Sequence, residues 1–177
     1  EKYNLWIISD EIHCDLIRAG KKHIPMAKVM TEYKKLITCM SASKTFNMAG
    51  LQFSNIIIRD EVTRNEFKAA DKIGGFVNPL SLVGQKAAYD VGGKWHEEMK
   101  AYLDGNFRFL KEFLEENLPE AVMEIPEATY LAWVDMSSYF DKEDDLPSFF
   151  AYKAGVLLEG GDALFVGNAN RFIRLNL

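Results

Sequence analysis

Disulfide chemistry is the first thing this sequence rules out. It has two cysteines, Cys14 and Cys39, too few for a disulfide framework and without the paired spacing of a metal site. Both read as ordinary thiols of a reducing cytoplasm, the compartment expected for this protein. Positive charge is also in short supply: 21 Lys and Arg stand against 26 Asp and Glu, a net charge of −5. Binding nucleic acid takes clustered cations. Here the cations are dispersed among acids, as at Lys142 between Asp141 and Glu143. No apolar run approaches the roughly 18 residues of a membrane helix, and no charged-then-apolar leader opens the chain. Neither nucleic acid nor membrane is therefore expected as a partner. Internal repeats and low-complexity segments are lacking too. So is an initiating methionine: Glu1 leads at once into an apolar stretch, and Leu177 follows an alternating apolar run. The chain reads as a portion of a longer one.

What is present suits a folded core. Hydrophobic residues make up 48% of the 177 and charged residues 27%, the balance of a globular domain. Tyr3–Ser9, Leu36–Met40 and Phe53–Ile58 are apolar runs of strand length, suited to burial on both faces of a parallel sheet. The segment between the first two completes a strand–crossover–strand rhythm, so the fold class expected is α/β. Asp60 predicts a helix cap, with Val62, Phe67, Ala70 and Ile73 at helical spacing and Gly74–Gly75 as the stop. A second helix is predicted from Pro79 to Val91, broken at Gly92–Gly93. A long third helix carries Trp95, Met99, Tyr102, Leu103, Phe107, Leu110, Phe113 and Leu114 on one broad face, assigned to the core. Beyond Pro119, strands are predicted at Val122–Ile125, Tyr130–Val134 and Phe172–Leu175, with a helix over Leu146–Lys153. This divides the chain into residues 1–117 and a small α+β unit, 118–177, incomplete at its end.

Two clusters carry chemistry. Ser9-Asp10-Glu11-Ile12-His13-Cys14-Asp15 closes the first strand, and Ser41 to Gln52 (SASKTFNMAGLQ) follows the second. Ligands of open α/β sheets bind beyond the carboxyl ends of the strands, so both clusters belong to one rim. Ser41-x-x-Lys44 with Asn47-Met48-Ala49-Gly50 resembles the cofactor-lysine segment of class I/II aminotransferases. Asp10-Glu11-Ile12-His13 resembles that family's D-x-x-Tyr segment, with His in the Tyr place. Glu127–Trp133 looks like its small-domain strand, and Arg171–Asn176 like its carboxylate-binding segment. The order and spacing agree along nearly the whole chain. Asp10-Glu11-Ile12-His13 together with Ala49–Gln52 most resembles the MalY/PatB-type carbon–sulfur lyases within the family. Gln52 stands where ordinary aminotransferases carry an Arg that pairs with the cofactor phosphate.

The resemblance implies a large domain with a mostly parallel sheet and helices, followed by a small α+β C-terminal domain. The implied cofactor is pyridoxal 5′-phosphate (PLP), with Lys44 as its covalent anchor and as the catalytic base. Asp10 would face the pyridine nitrogen, His13 the cofactor, Ser41 the phosphate, and Arg174 the α-carboxylate of an amino-acid substrate. Arg171 and Arg174 are three apart, on opposite faces of a strand, and the match favours Arg174. The implied reaction is β-elimination on cystathionine or a cysteine conjugate, giving thiol, pyruvate and ammonia, in a homodimer. Two other readings stand beside it: an aminotransferase of the same fold, and a truncated dimerisation domain without activity. The family's phosphate turn, ring-stacking aromatic and cofactor-binding Asn lie in an N-terminal half that this chain does not contain. The isolated chain is therefore expected to be empty of PLP, inactive and self-associating.

Overall fold

Three apolar runs become the strands of a first sheet in the computed structural model, which describes residues 2–71, 77–161, 164–167 and 169–177. The expected Ile73 contact and Gly74–Gly75 stop, and Asn168 of the last loop, lie outside the described residues. Strands β1 (Ile7–Asp10), β2 (Leu36–Met40) and β3 (Asn55–Ile57) lie in the order β1-β2-β3. β1 and β2 are parallel, with Ile7 opposite Leu36 and Asp10 opposite Cys39. A crossover containing the single-turn helix α1 (Met26–Val29) joins them.

β3 runs antiparallel to β2, so the sheet within this unit is mixed. Helix α2 (Ala42–Thr45) is one turn, followed by a 3₁₀ turn over Ala49–Leu51. Four helical residues rise about 6 Å, too little to return the chain along the sheet for another parallel strand. Burial on both faces holds for β2, whose Leu36, Ile37 and Thr38 are buried. It fails for the outer strands: Ile8 is 69% exposed, and Ile56 and Ile57 are about half exposed.

The predicted helices form where their caps are. Asp60 accepts the Thr63 amide at 2.9 Å to start α3 (Glu61–Ala70). Asn78 accepts the Leu80 amide at 2.9 Å to start α4 (Pro79–Val91), where Pro79 loses no helical hydrogen bond in the first turn. Gly92 separates α4 from α5 (Gly93–Asn117). A Cβ on Gly92 would lie 2.6 Å from the Phe46 ring and 2.3 Å from the Ala88 carbonyl oxygen, so this break needs a glycine. The α5 stripe is narrower than expected. Leu103, Phe107 and Leu114 are buried, whereas Trp95, Tyr102 and Phe113 are 47%, 70% and 48% exposed.

The chain divides into two compact units, Glu1–Met99 and Lys100–Leu177. Phe107 and Leu114 of α5 belong to the core of the second unit. That core also holds Met123, Ala132, Val134, Met136, Leu146 and Ile173. Its sheet is antiparallel, in the order β4 (Leu131–Asp135), β6 (Phe172–Asn176), β5 (Glu159–Gly160). Of the expected strand Val122–Ile125, a bridge between Val122 and Asp135 is what forms. The helix expected over Leu146–Lys153 is split into α6 (Leu146–Phe149) and a π turn, Phe150–Ala154. Gly155 ends it at φ 68°, in the left-handed region, which glycine adopts without strain.

Candidate active site

The parallel pairing of β1 and β2 sets the site. With Asp10 opposite Cys39, and the Glu11 amide donating to the Cys39 carbonyl at 2.9 Å, the two strands end together. The turn after β1 and helix α2 after β2 thus emerge side by side. Asp10 closes β1, and its Oδ1 accepts the Ile12 amide at 3.1 Å. The turn tightens through Cys14 N–H to the Glu11 carbonyl and Leu16 N–H to the His13 carbonyl, both 3.0 Å.

His13 and Lys44 face each other electrostatically across this rim. Burial holds the His13 pKa below its ordinary value, and the positive charge of Lys44 pushes the same way, while Asp10 pulls against them. The imidazole is therefore neutral at neutral pH. Lys44 and Asp10, singled out from sequence with His13, each lie close enough for their charge to act on it.

Ser41 has a more definite job than sequence suggested. Its hydroxyl accepts the Ser43 amide at 3.0 Å, capping α2, and donates to the Phe53 carbonyl at 2.6 Å. It is buried. The hydroxyl expected to meet a phosphate also holds down the turn that carries Lys44.

Further residues brace this rim, and sequence reasoning passed over them. Glu11 is 5% exposed and accepts from Ser9 Oγ (3.0 Å), the Met26 amide (2.9 Å) and His23 Nε2 (2.8 Å). Burial works against its charge, but the bonds from His23, Met26 and Ser9 outweigh it and hold the carboxyl below its ordinary pKa. Thr45 Oγ1 donates to Asp15 Oδ2 at 2.9 Å, tying α2 to the β1 turn. Gln85 of α4 accepts the Ala42 amide at 3.4 Å and donates to Asn55 at 3.2 Å. Phe46, next along, stacks on Trp95 at 5.9 Å and meets Tyr89 edge-on at 5.4 Å. The one hint in the sequence was alternation, which sends Glu11 to the opposite side from Asp10. Burial also pushes the Cys14 thiol up, with help from Asp15, to about 11. Gln52 is exposed at φ 49°, a left-handed conformation uncommon for glutamine.

Arg174 lies on β6 of the second unit. Its Nε donates to Glu159 Oε2 at 2.7 Å, and its Nη2 to the same oxygen. Arg171 precedes the strand, and its Nη1 donates to the Ser137 carbonyl at 3.3 Å.

Comparison with known proteins brings this geometry into a family. The family model for aminotransferase class I and II matches residues 1–177. Cystathionine beta-lyase PatB of Bacillus subtilis is 37% identical over 99% of the chain and 46% of its own length. The PLP-bound C-S lyase of Staphylococcus hominis superposes with a TM-score of 0.91 at 49% identity, over 99% of this chain and 45% of that one. Cystalysin of Treponema denticola, which contains a pyridoxal 5′-phosphate cofactor, gives 0.90 at 34% identity, over 97% and 44%. The chain thus spans a little under half the length of these relatives. Among the described residues, no helix is long and apolar enough to cross a membrane.

Proposed function

This chain belongs to the aminotransferase class I and II family, and from that premise we propose that it is part of a PLP-dependent carbon–sulfur lyase. The reaction is β-elimination on cystathionine or a related cysteine conjugate, releasing a thiol, pyruvate and ammonia. What supports this reading is that the turn carrying Asp10 and His13 and the turn carrying Lys44 follow two parallel strands that end together, with Lys44 and Asp10 each near enough to act on His13. The likeness to cystathionine beta-lyases and PLP-bound C-S lyases supports the choice of reaction and cofactor.

The donor set fits the cofactor. A primary amine suits an aldehyde, a carboxylate suits a protonated pyridine nitrogen, and a neutral imidazole can serve the phenolic oxygen. PLP bound here would supply an electron sink for the negative charge developing at the substrate Cα. Lys44 would hold the cofactor covalently through its side-chain amine. The same amine would serve as the base for the substrate Cα proton, since a lysine next to the reacting carbon is positioned for that transfer. Asp10 supplies fixed negative charge at the pyridine nitrogen. His13, kept uncharged, adds no competing positive charge beside Lys44. Ser41 fixes the Lys44 turn through Phe53, and Arg174 takes the substrate α-carboxylate. Gln52 would offer the cofactor phosphate no cationic partner at that position.

A homodimer in a reducing cytoplasm completes the reading. Cys14 and Cys39 are unbonded thiols. Leu80, Val83 and Val91 form an exposed apolar stripe on α4, a surface that association would cover.

Lys44→Ala in the full-length enzyme tests the assignment. Wild type should release pyruvate and thiol from cystathionine with no keto-acid acceptor present, and the variant should release neither. Turnover that requires a keto acid would make the enzyme an aminotransferase. Undiminished turnover in the variant would remove Lys44 from the site.

A further inference from the structure

The sheet of the second unit sets Arg174 in a row. In the register of β6, Arg174 lies opposite Trp133 of β4 on one side and Glu159 of β5 on the other. Directly opposed residues of antiparallel strands project from one face, so the three side chains share it. This is the face away from the core, since Ala132, Val134 and Ile173 occupy the other. Trp133 packs on Phe165 and Phe172 at 4.8 and 5.3 Å, giving the row a rigid aromatic flank.

A guanidinium has two two-pronged edges, Nε with Nη2 and Nη1 with Nη2. Glu159 takes the first, receiving both nitrogens on a single oxygen. Among the described residues nothing engages Nη1. The Arg174 side chain is 27% exposed and that of Glu159 58%, so the arginine is sheltered while its partner stands in water. The pair differs in kind from Lys86 and Asp90 on α4, where both side chains are more than half exposed. Arg174 is also fixed from below by the ladder of a central strand.

We infer that Glu159 is a positioning residue for Arg174, holding one edge of the guanidinium so that the other is preset for a carboxylate ligand. The inference rests on the reading of Arg174 as the group that takes the substrate α-carboxylate. An unrestrained arginine loses rotamer freedom when it captures a ligand, and a side chain already fixed loses less. The opposing effect is repulsion between Glu159 and the incoming carboxylate. It is the weaker one, because Glu159 faces solvent that screens its charge and Arg174 lies alongside to compensate it.

The test compares Glu159→Gln, Glu159→Asp and Arg174→Lys with wild type in the full-length, PLP-loaded enzyme. Each is assayed on an amino-acid substrate and on the α-carboxamide of the same substrate. Glu159→Gln should raise KM for the acid about two- to fivefold, the range of a partly exposed ion pair. It should leave kcat within about twofold and KM for the carboxamide unchanged, and Glu159→Asp should fall between it and wild type. Thermal melting of each variant reports folding, and should Glu159→Gln melt early, Glu159→Asp carries the comparison. An unchanged KM for the acid overturns the inference, and a lowered one shows that Glu159 competes with substrate. If Arg174→Lys raises KM while the Glu159 variants do not, the reading of Arg174 stands and positioning by Glu159 falls. If Arg174→Lys has no effect on the acid, both fall.

Discussion

Replacing Glu11 with Gln tests how the rim beneath Asp10 is held. Glu11 is almost fully buried, with Ser9 and the Met26 amide on Oε1 and His23 on Oε2. Gln keeps an oxygen for the first two but loses the charge that strengthens all three bonds. It also turns an amide nitrogen toward His23. Hydrogen bonds to a charged group contribute about 1.5–3 kcal/mol and neutral ones about 1, so the expected loss is about 2 kcal/mol. With a urea slope of about 2 kcal/mol/M, the unfolding midpoint at pH 7 should fall by roughly 1 M. Tryptophan fluorescence can follow it through Trp6 and Trp95. The pH dependence carries a sign. The folded pKa of Glu11 lies below its ordinary value of 4.5, so its contribution is complete above that value and disappears as pH falls through the folded one. The gap between wild type and variant should therefore shrink on acidification below about pH 5. A gap that stays constant or widens as pH falls would refute the account of Glu11 as a stabilising buried anion.

Two further outcomes can be checked on this chain. Phe107→Ala should destabilise the second unit by about 3–5 kcal/mol, because Phe107 is 0% exposed at the centre of its core; a loss below about 1 kcal/mol in denaturant would show that the site collapses freely. Cys14, its thiol pushed up to about 11 by burial and Asp15, should alkylate about two orders of magnitude more slowly at pH 8 than an ordinary thiol. Asp15→Asn should speed it without changing Cys39, as peptide mapping by mass spectrometry would report.

The features legible in the sequence are those with a local cause. Asp60 caps α3 and Pro79 opens α4 as read from sequence, because such start signals act within a single turn. Leu36–Met40 is a strand residue for residue, being an apolar run buried in the centre of its sheet. That the turns carrying Asp10 and Lys44 share one rim was legible from residue order, because β1 and β2 end in register. What escaped depends on partners distant in sequence. Glu11 meets His23 twelve residues on, and Thr45 meets Asp15 thirty residues back. Strand β5 is two residues long, too short for any periodicity, and with it Glu159 was missed. Helical spacing found the side of α5 that packs but not the width of the buried band. Trp95, Tyr102 and Phe113 share that side and remain exposed.

Strand order in the second unit also bears on how the protein is made. β4 and β5 do not pair with each other; each pairs with β6, which is synthesised after both. Asp135 and Asn176 are 41 positions apart (176 − 135). At about 5–20 residues per second, β4 therefore waits about 2–8 s for its partner on the ribosome. During that interval Ala132 and Val134 have no Ile173 to pack against. Losing Phe172–Asn176 would not trim this sheet at an edge but leave two strands with nothing to join them.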